Sequence, residues 1–404
     1  MRDFSDFINK CEQKIKDKLD LVDEIALYNQ TKVLNAFAEL RIALRHFNGS
    51  TGYGYDDEGR DTLGKLYALS FGAEAGIVSP HILSGTHALT VALFGVLRPK
   101  DTLFCITGMP YDTIRGVIFG EGNGSLKDFG VNFDCCDLKD GKPDFDLIKK
   151  KFNKDVKVVY IQRSRGYELR DAFSCKEIGE MCSFVRSLGF DGCIFVDNCY
   201  GEFVEKCEPT DVGADLIVGS LIKNAGGGLA SNGGYICGTQ KYVDMVGKRL
   251  TAPSLGLEVG SYQQGYQSFY QGIFLAPHTV AQALKTGLLI GQAMSEYGFI
   301  NYPSMDKMPA DITRAIQFDD PEKMINFIRE VQYASPIDSF VTCEPWDMPG
   351  YGEQIIMAAG TFVSGSSIEL SADGPVKAPY IAYFQGGLTY EHGKYALNKI
   401  LNKL

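Results

Sequence analysis

Three polar signals in this chain have the residue types needed to hold and activate an aldehyde. Ser84-Gly85-Thr86-His87-Ala88 follows a turn and opens the apolar run Ala88 to Leu97. A helix starting there offers unpaired N–H groups and the positive end of its dipole to a phosphate, and Ser84 and Thr86 add hydroxyls. Asp197 ends the apolar run Cys193-Ile-Phe-Val, where a carboxylate emerging with a buried strand needs a cationic or N–H partner. Lys223 follows 26 residues later, after the run Ala214 to Val218, with Leu221 and Ile222 before it and small residues behind. A lysine near apolar groups and other cations loses its proton easily, as a Schiff-base amine must. Singly, each has a plainer explanation: an N-cap, a helix cap or salt bridge, an exposed loop lysine.

Taken together they match one cofactor. An aldehyde with a phosphate at one end and a pyridine nitrogen at the other needs an amine, a phosphate loop and an acid, and pyridoxal 5'-phosphate is that aldehyde. Tyr111, in Gly-Met-Pro-Tyr-Asp-Thr, is placed either to stack on its ring or to pack down as a loop aromatic. Gly226 to Gly228 follow the lysine, whereas a P-loop has its glycines before the Lys-Ser/Thr pair. These glycines are expected to turn the backbone tightly beside the cofactor.

Such residues need a scaffold. Short apolar runs predict strands over Asp101 to Ile106, Val131 to Cys135, Val156 to Gln162, Cys193 to Asp197, Asp215 to Val218 and Gly234 to Cys237, with helices over Ala88 to Leu97 and Cys175 to Leu188. Strands alternating with helices of this length imply parallel crossovers, an α/β sheet with sites at the carboxyl ends of its strands. Residues 1–60 read as N-terminal helices followed by a glycine-rich aromatic arm, and 61–285 as the large α/β domain. Residues 286–404 read as a smaller α+β domain, with a helix Pro277 to Tyr297 leading into it. Its elements are strands over Ile355 to Val363, Ser367 to Leu370 and Tyr380 to Phe384, and a final helix Tyr390 to Leu404.

The bulk numbers narrow the partners. A net charge of -10 and no long basic run argue against nucleic acid. The start lacks a signal-peptide core, and no uninterrupted apolar segment approaches a membrane span, so a soluble cytoplasmic protein without a membrane partner is expected. Eleven cysteines without C-x-x-C spacing read as buried thiols, and five histidines without H-E-x-x-H predict no metal site.

The chain resembles the fold-type-I pyridoxal-phosphate enzymes of the cystathionine and methionine lyase group, in particular the methionine gamma-lyase-like or aluminium-resistance branch. The resemblance rests on ordered phrases along most of the sequence: Gly-Tyr-Gly-Tyr-Asp-Asp (52–57), Ser-Gly-Thr-His-Ala (84–88), Gln-Arg-Ser-Arg-Gly-Tyr (162–167), Val-Asp-Asn-Cys-Tyr-Gly-Glu (196–202), Gly-Ser-Leu-Ile-Lys-Asn (219–224), Phe-Leu-Ala-Pro-His (274–278), Glu-Pro-Trp-Asp-Met-Pro-Gly-Tyr (344–351) and Gln-Gly-Gly-Leu-Thr-Tyr-Glu-His (385–392).

It implies a large, mostly parallel sheet of the seven-stranded type with a smaller C-terminal α+β domain. Lys223 would carry the aldimine and move the substrate proton, Asp197 would hold the pyridinium N–H, and Tyr111 would cover the ring. Ser84, Gly85, Thr86 and Ser220 would bind phosphate, completed by Tyr55 and Arg60 of a neighbouring subunit in a homotetramer built from dimers with shared sites. The expected reaction is cleavage of a sulfur-containing amino acid; the alternative is a cofactor-retaining stress or metal-resistance protein with little turnover. Two departures stand out. Ser220-Leu-Ile-Lys223 lacks the threonine that often precedes the lysine, and no arginine follows Arg329. Lys377 stands where the branch leads one to expect an arginine for the substrate carboxylate, and Arg163 and Arg165 are the other candidate anchors.

Overall fold

Seven strands build the first sheet of the protein, seen in a computed structural model that describes residues 3–348 and 352–403. They are β1 (Ala75–Ser79), β2 (Thr102–Cys105), β3 (Asn132–Cys135), β4 (Val156–Gln162), β5 (Cys193–Asp197), β6 (Leu216–Ser220) and β7 (Gly234–Gly238), in the order β1-β7-β6-β5-β4-β2-β3. β3, β2, β4, β5 and β6 run parallel. The near-continuous apolar sequences of β2, β4, β5 and β6 fit strands covered on both faces, and large apolar clusters pack on the two sides.

β7 is antiparallel to both of its neighbours, so the sheet is mixed but mostly parallel, as the resemblance implied. Between β6 and β7 the chain forms only a short 3-10 turn, Asn224–Gly226, and a parallel return would have required a crossover element. β1 was not foreseen, and it pairs with β7 at the sheet's edge.

The second sheet is wholly antiparallel, ordered β10-β11-β12-β9-β8, with β8 (Ile300–Tyr302), β9 (Thr313–Phe318), β10 (Ile355–Ala358), β11 (Ser371–Pro375) and β12 (Tyr380–Gln385). The strand expected over Ser367 to Leu370 is absent. There the Glu369 carboxylate accepts the N–H groups of Phe362 and Val363 (2.9 and 3.0 Å), so a side chain takes the place of a ladder. The last helix is Tyr390–Leu401. Leu404, and Pro349 to Tyr351 of the quoted Glu-Pro-Trp phrase, lie outside the described residues.

One helix ties the sheets together. Gln267–Glu296 packs on the N-terminal helix Lys16–Glu39, on the Asn224–Gly226 turn and on β8 and β9. It begins ten residues before the expected start and contains Pro277. By length and composition it could span a membrane, contrary to the sequence reading, but 72% of its most apolar window is buried inside the fold.

Candidate active site

Strand register assembles the acid. The carboxyl ends of β4, β5 and β6 lie side by side, with Gln162 opposite Asp197 and Asp197 opposite Val218, and Ser220 ends β6 two residues further on. Asp197 is 8% exposed. Its Oδ1 accepts the Cys199 N–H at 3.2 Å and its Oδ2 the Tyr160 hydroxyl at 3.3 Å. Burial pushes this carboxyl above its ordinary value, with the Lys223 ammonium and the bonds from Cys199 and Tyr160 pulling the other way. It has room for a stronger cationic or N–H partner.

Lys223 enters the same cleft from the β6–β7 connection, together with Tyr111, Asp197, Cys199 and Tyr200. Its Nζ stands 4.0 Å from the centroid of the Tyr200 ring. Tyr200 has a φ of +73°, a left-handed conformation uncommon for a bulky residue. The expectation of neighbouring cations around the lysine fails. Burial pulls its proton affinity down, but Cys199, Tyr200, Asp197 and Glu202 surround it and raise it overall, so the free side chain is an ammonium.

The glycines after Lys223 have a different task from the one expected. A Cβ on Gly227 (φ +57°) would sit 2.2 Å from the carbonyl oxygen of Gly272, and one on Gly228 would sit 2.6 Å from Leu388. Gly227 lets the lysine loop press onto the backbone of helix Gln267–Glu296, Gly228 lets it close on the Leu388 side chain, and neither lines the cleft.

Ser84 caps helix Gly85–Val96, its Oγ accepting the His87 N–H at 3.0 Å. The N–H groups of Gly85 and Thr86, in the first turn, have no partner within the helix. A methyl group on Gly85 would approach Ser220 Cβ to 3.3 Å and Cys199 Sγ to 3.7 Å, so the helix start, the end of β6 and the cleft converge. Thr86 Oγ1 lies 3.1 Å from Thr113 Oγ1. This set of N–H and hydroxyl donors suits a phosphate. The Tyr111 N–H donates to Gln162 Oε1 at 2.7 Å, and its ring meets that of Tyr167 edge-on at 6.2 Å.

The other candidates scatter. Tyr55, 57% exposed, stacks on Tyr53. Arg60 Nη1 donates to the Gly54 carbonyl at 2.9 Å, and neither residue lines the lysine cleft of its own chain. Lys377 is exposed in the turn between β11 and β12, remote from the cleft end of that hairpin.

Arg163 and Arg165 are both buried but have opposite surroundings. Arg163 is used up by Asn198 (2.8 Å), Glu205 (2.7 Å) and the Phe173 carbonyl, away from the cleft. Arg165 donates Nη1 to the Tyr302 carbonyl (2.8 Å), and its buried Nε and Nη2 have no partner. It sits between the lining residues Ser164 and Gly166, close enough to Tyr383 to act on its hydroxyl. The group Cys175, Glu205 and Cys207 has a spacing a metal could use, but the Arg163 guanidinium already occupies Glu205 there. All eleven cysteines are free.

The sequence reading missed the cleft's second wall: Tyr167 on the loop after β4, Thr313, Asp373, Tyr383 and Gln385 from the second sheet. The i, i+2 spacing of Tyr383 and Gln385 in a strand was the available signal. Tyr200 and Glu202 stood within a quoted phrase without a role. Glu202 is buried, bonded by the Tyr235 hydroxyl at 2.8 Å, and its Oε2 has no partner.

Comparison with known proteins places this geometry in context. A family profile described as methionine gamma-lyase matches residues 4–404. The uncharacterized protein YnbB of Bacillus subtilis is 50% identical over 387 residues, covering 95% of this chain and 92% of that one. A crystal structure described as a carbon-sulfur lyase involved in aluminum resistance, from Clostridium novyi, is 47% identical with a TM-score of 0.94, covering 98% of this chain and 94% of that one. At the level of fold alone, the pyridoxal-5'-phosphate dependent protein YhfS of Escherichia coli superposes with a TM-score of 0.64 at 15% identity, over 95% of this chain and 97% of that one.

Proposed function

The chain belongs to the methionine gamma-lyase family, and on that premise we propose that it cleaves a sulfur-containing amino acid of the cystathionine, methionine or cysteine type by removing the α-proton and eliminating the side-chain thiol from the β or γ carbon. The class is a pyridoxal-phosphate-dependent carbon–sulfur lyase of the fold-type-I kind, and its cofactor is pyridoxal 5'-phosphate. The observation that carries the reading is the shared cleft of Lys223, Asp197 and Tyr111 beside the helix start at Gly85.

When bound, the cofactor supplies an electron sink for the pair left behind by the α-proton. Lys223 would hold the cofactor, and its Nζ would take and return the proton at the substrate's α-carbon. Asp197 would hold the protonated pyridine nitrogen, a stronger partner for its buried carboxylate than the Cys199 N–H and the Tyr160 hydroxyl. Tyr111 would cover the ring, and Ser84, Gly85, Thr86 and Ser220 would bind the phosphate. Arg165 receives the substrate carboxylate, because Nε and Nη2 form the side-on fork that a carboxylate fills and both are unpaired.

Assembly into a homotetramer of dimers with shared sites completes the proposal. Tyr53, Tyr55 and Leu83 are exposed at 65%, 57% and 76% around the arm and the phosphate loop, a surface that supports such a contact, and Tyr55 and Arg60 would then serve a partner's phosphate. A solution mass of one chain in active protein would contradict this.

The reaction is tested by incubating the pure protein with cystathionine, cysteine and methionine and measuring 2-oxo acid. Release from at least one is expected. Visible cofactor absorbance without release from any sulfur amino acid would favour a cofactor-retaining protein with little turnover.

A further inference from the structure

The lyase reading, on which this inference rests, leaves one acid of the cleft without a task. Asp373 of β11 is the cross-strand partner of Tyr383, and Gln385 of β12 pairs with Thr313 of β9. Alternation along the strands puts all four on one face, and that face lines the cleft opposite Lys223 and Asp197. The Asp373 carboxyl accepts a hydrogen bond from the Tyr167 hydroxyl and a long one, 3.4 Å, from Gln385 Nε2. Among the described residues it has no ion pair with a lysine or arginine, although seventeen other carboxylate pairings with lysine or arginine side chains occur.

A carboxyl held against a cleft without a cation is costly unless something that enters supplies one. Burial pushes Asp373 up to about 6, so near neutral pH it is mostly charged and ready to pair. With the cofactor and the substrate carboxylate assigned to groups carried by the first sheet, the second-sheet wall is left for the substrate's departing side chain. A plain thioether offers Asp373 nothing, and a carboxylate alone would be repelled. An ammonium fits.

We propose that Asp373 is a specificity residue that accepts an ammonium group carried beyond the substrate's sulfur, so that the enzyme favours thioether amino acids with a cationic leaving side chain.

Two near-isosteric ligands separate the effect of charge from that of size: S-(2-aminoethyl)-L-cysteine, with a distal ammonium, and S-propyl-L-cysteine, without one. Spectral titration of the cofactor-loaded protein gives a dissociation constant for each, independent of turnover. The wild type is expected to bind the cationic ligand roughly 10- to 100-fold more tightly, the worth of a charge-assisted hydrogen bond, and in Asp373→Asn the ratio is expected to fall to about one. A wild type without preference, or an Asp373→Asn variant that keeps it, overturns the inference while a response to S-propyl-L-cysteine leaves the lyase reading standing. Silence toward every sulfur amino acid overturns both.

Discussion

The Nζ of Lys223 lies over the ring of Tyr200, 4.0 Å from its centroid, and Tyr200 is held there at a φ of +73°. The strained backbone turns the ring toward the lysine, so contact and strain are one arrangement. Removing the ring frees the amine to swing. Tyr200→Ala is expected to lower kcat roughly 3- to 30-fold, the worth of a cation–π contact of about 0.5–2 kcal/mol, with cofactor content retained. Unchanged kcat would show the contact to be incidental.

Arg165 provides a second test. Arg165→Lys keeps the positive charge and removes the fork, so KM for a sulfur amino acid is expected to rise roughly tenfold or more, with a smaller change in kcat. A KM equal to that of the wild type would place the carboxylate elsewhere. Arg163 does not serve as a comparable probe, since its loss strands the buried Glu208 and half-buried Glu205.

Glu202 gives the fold a pH dependence. Burial raises its carboxyl from the usual 4.5 to about 8, against the bond from Tyr235 and the Lys223 ammonium. The folded chain therefore keeps a proton that the unfolded chain releases between those values. The unfolding free energy falls as pH rises through that window, and the loss from this group is complete above it. Glu202→Gln should flatten the decline of Tm between pH 5 and 8. An equally steep decline in the variant would contradict the assignment.

The loop that carries Lys223 depends on Gly227. An alanine there would need both a left-handed φ of +57° and a Cβ 2.2 Å from the Gly272 oxygen. Gly227→Ala is expected to destabilise the protein by roughly 2–4 kcal/mol, visible as a lower melting temperature. A melting temperature equal to the wild type's would mean that the loop does not rest on the long helix.

Asp197, Lys223 and Ser84 were legible in the sequence because each stands at the edge of an apolar run, the first two after one and Ser84 before one, and such edges mark strand ends and helix starts. Asp373, Tyr383 and Gln385 were not, because their shared face exists only after strands far apart in sequence pair. Arg163 and Arg165 show the limit most sharply. They flank one serine, are equally polar and equally buried, and only the fold turns one into an ion-pair cluster and leaves the other with an open fork. The direction of β7 was hidden for a related reason: its sequence is that of any buried strand, and its orientation is set by the helix-free connection before it.

On the proposed reading this chain breaks a carbon–sulfur bond through Lys223. The direct measurement is simultaneous assay of 2-oxo acid and free thiol from a sulfur amino acid, for wild type and Lys223→Ala in parallel. Equal amounts of the two products are expected from the wild type and neither from the variant. No product from the wild type, or equal turnover by Lys223→Ala, would contradict it.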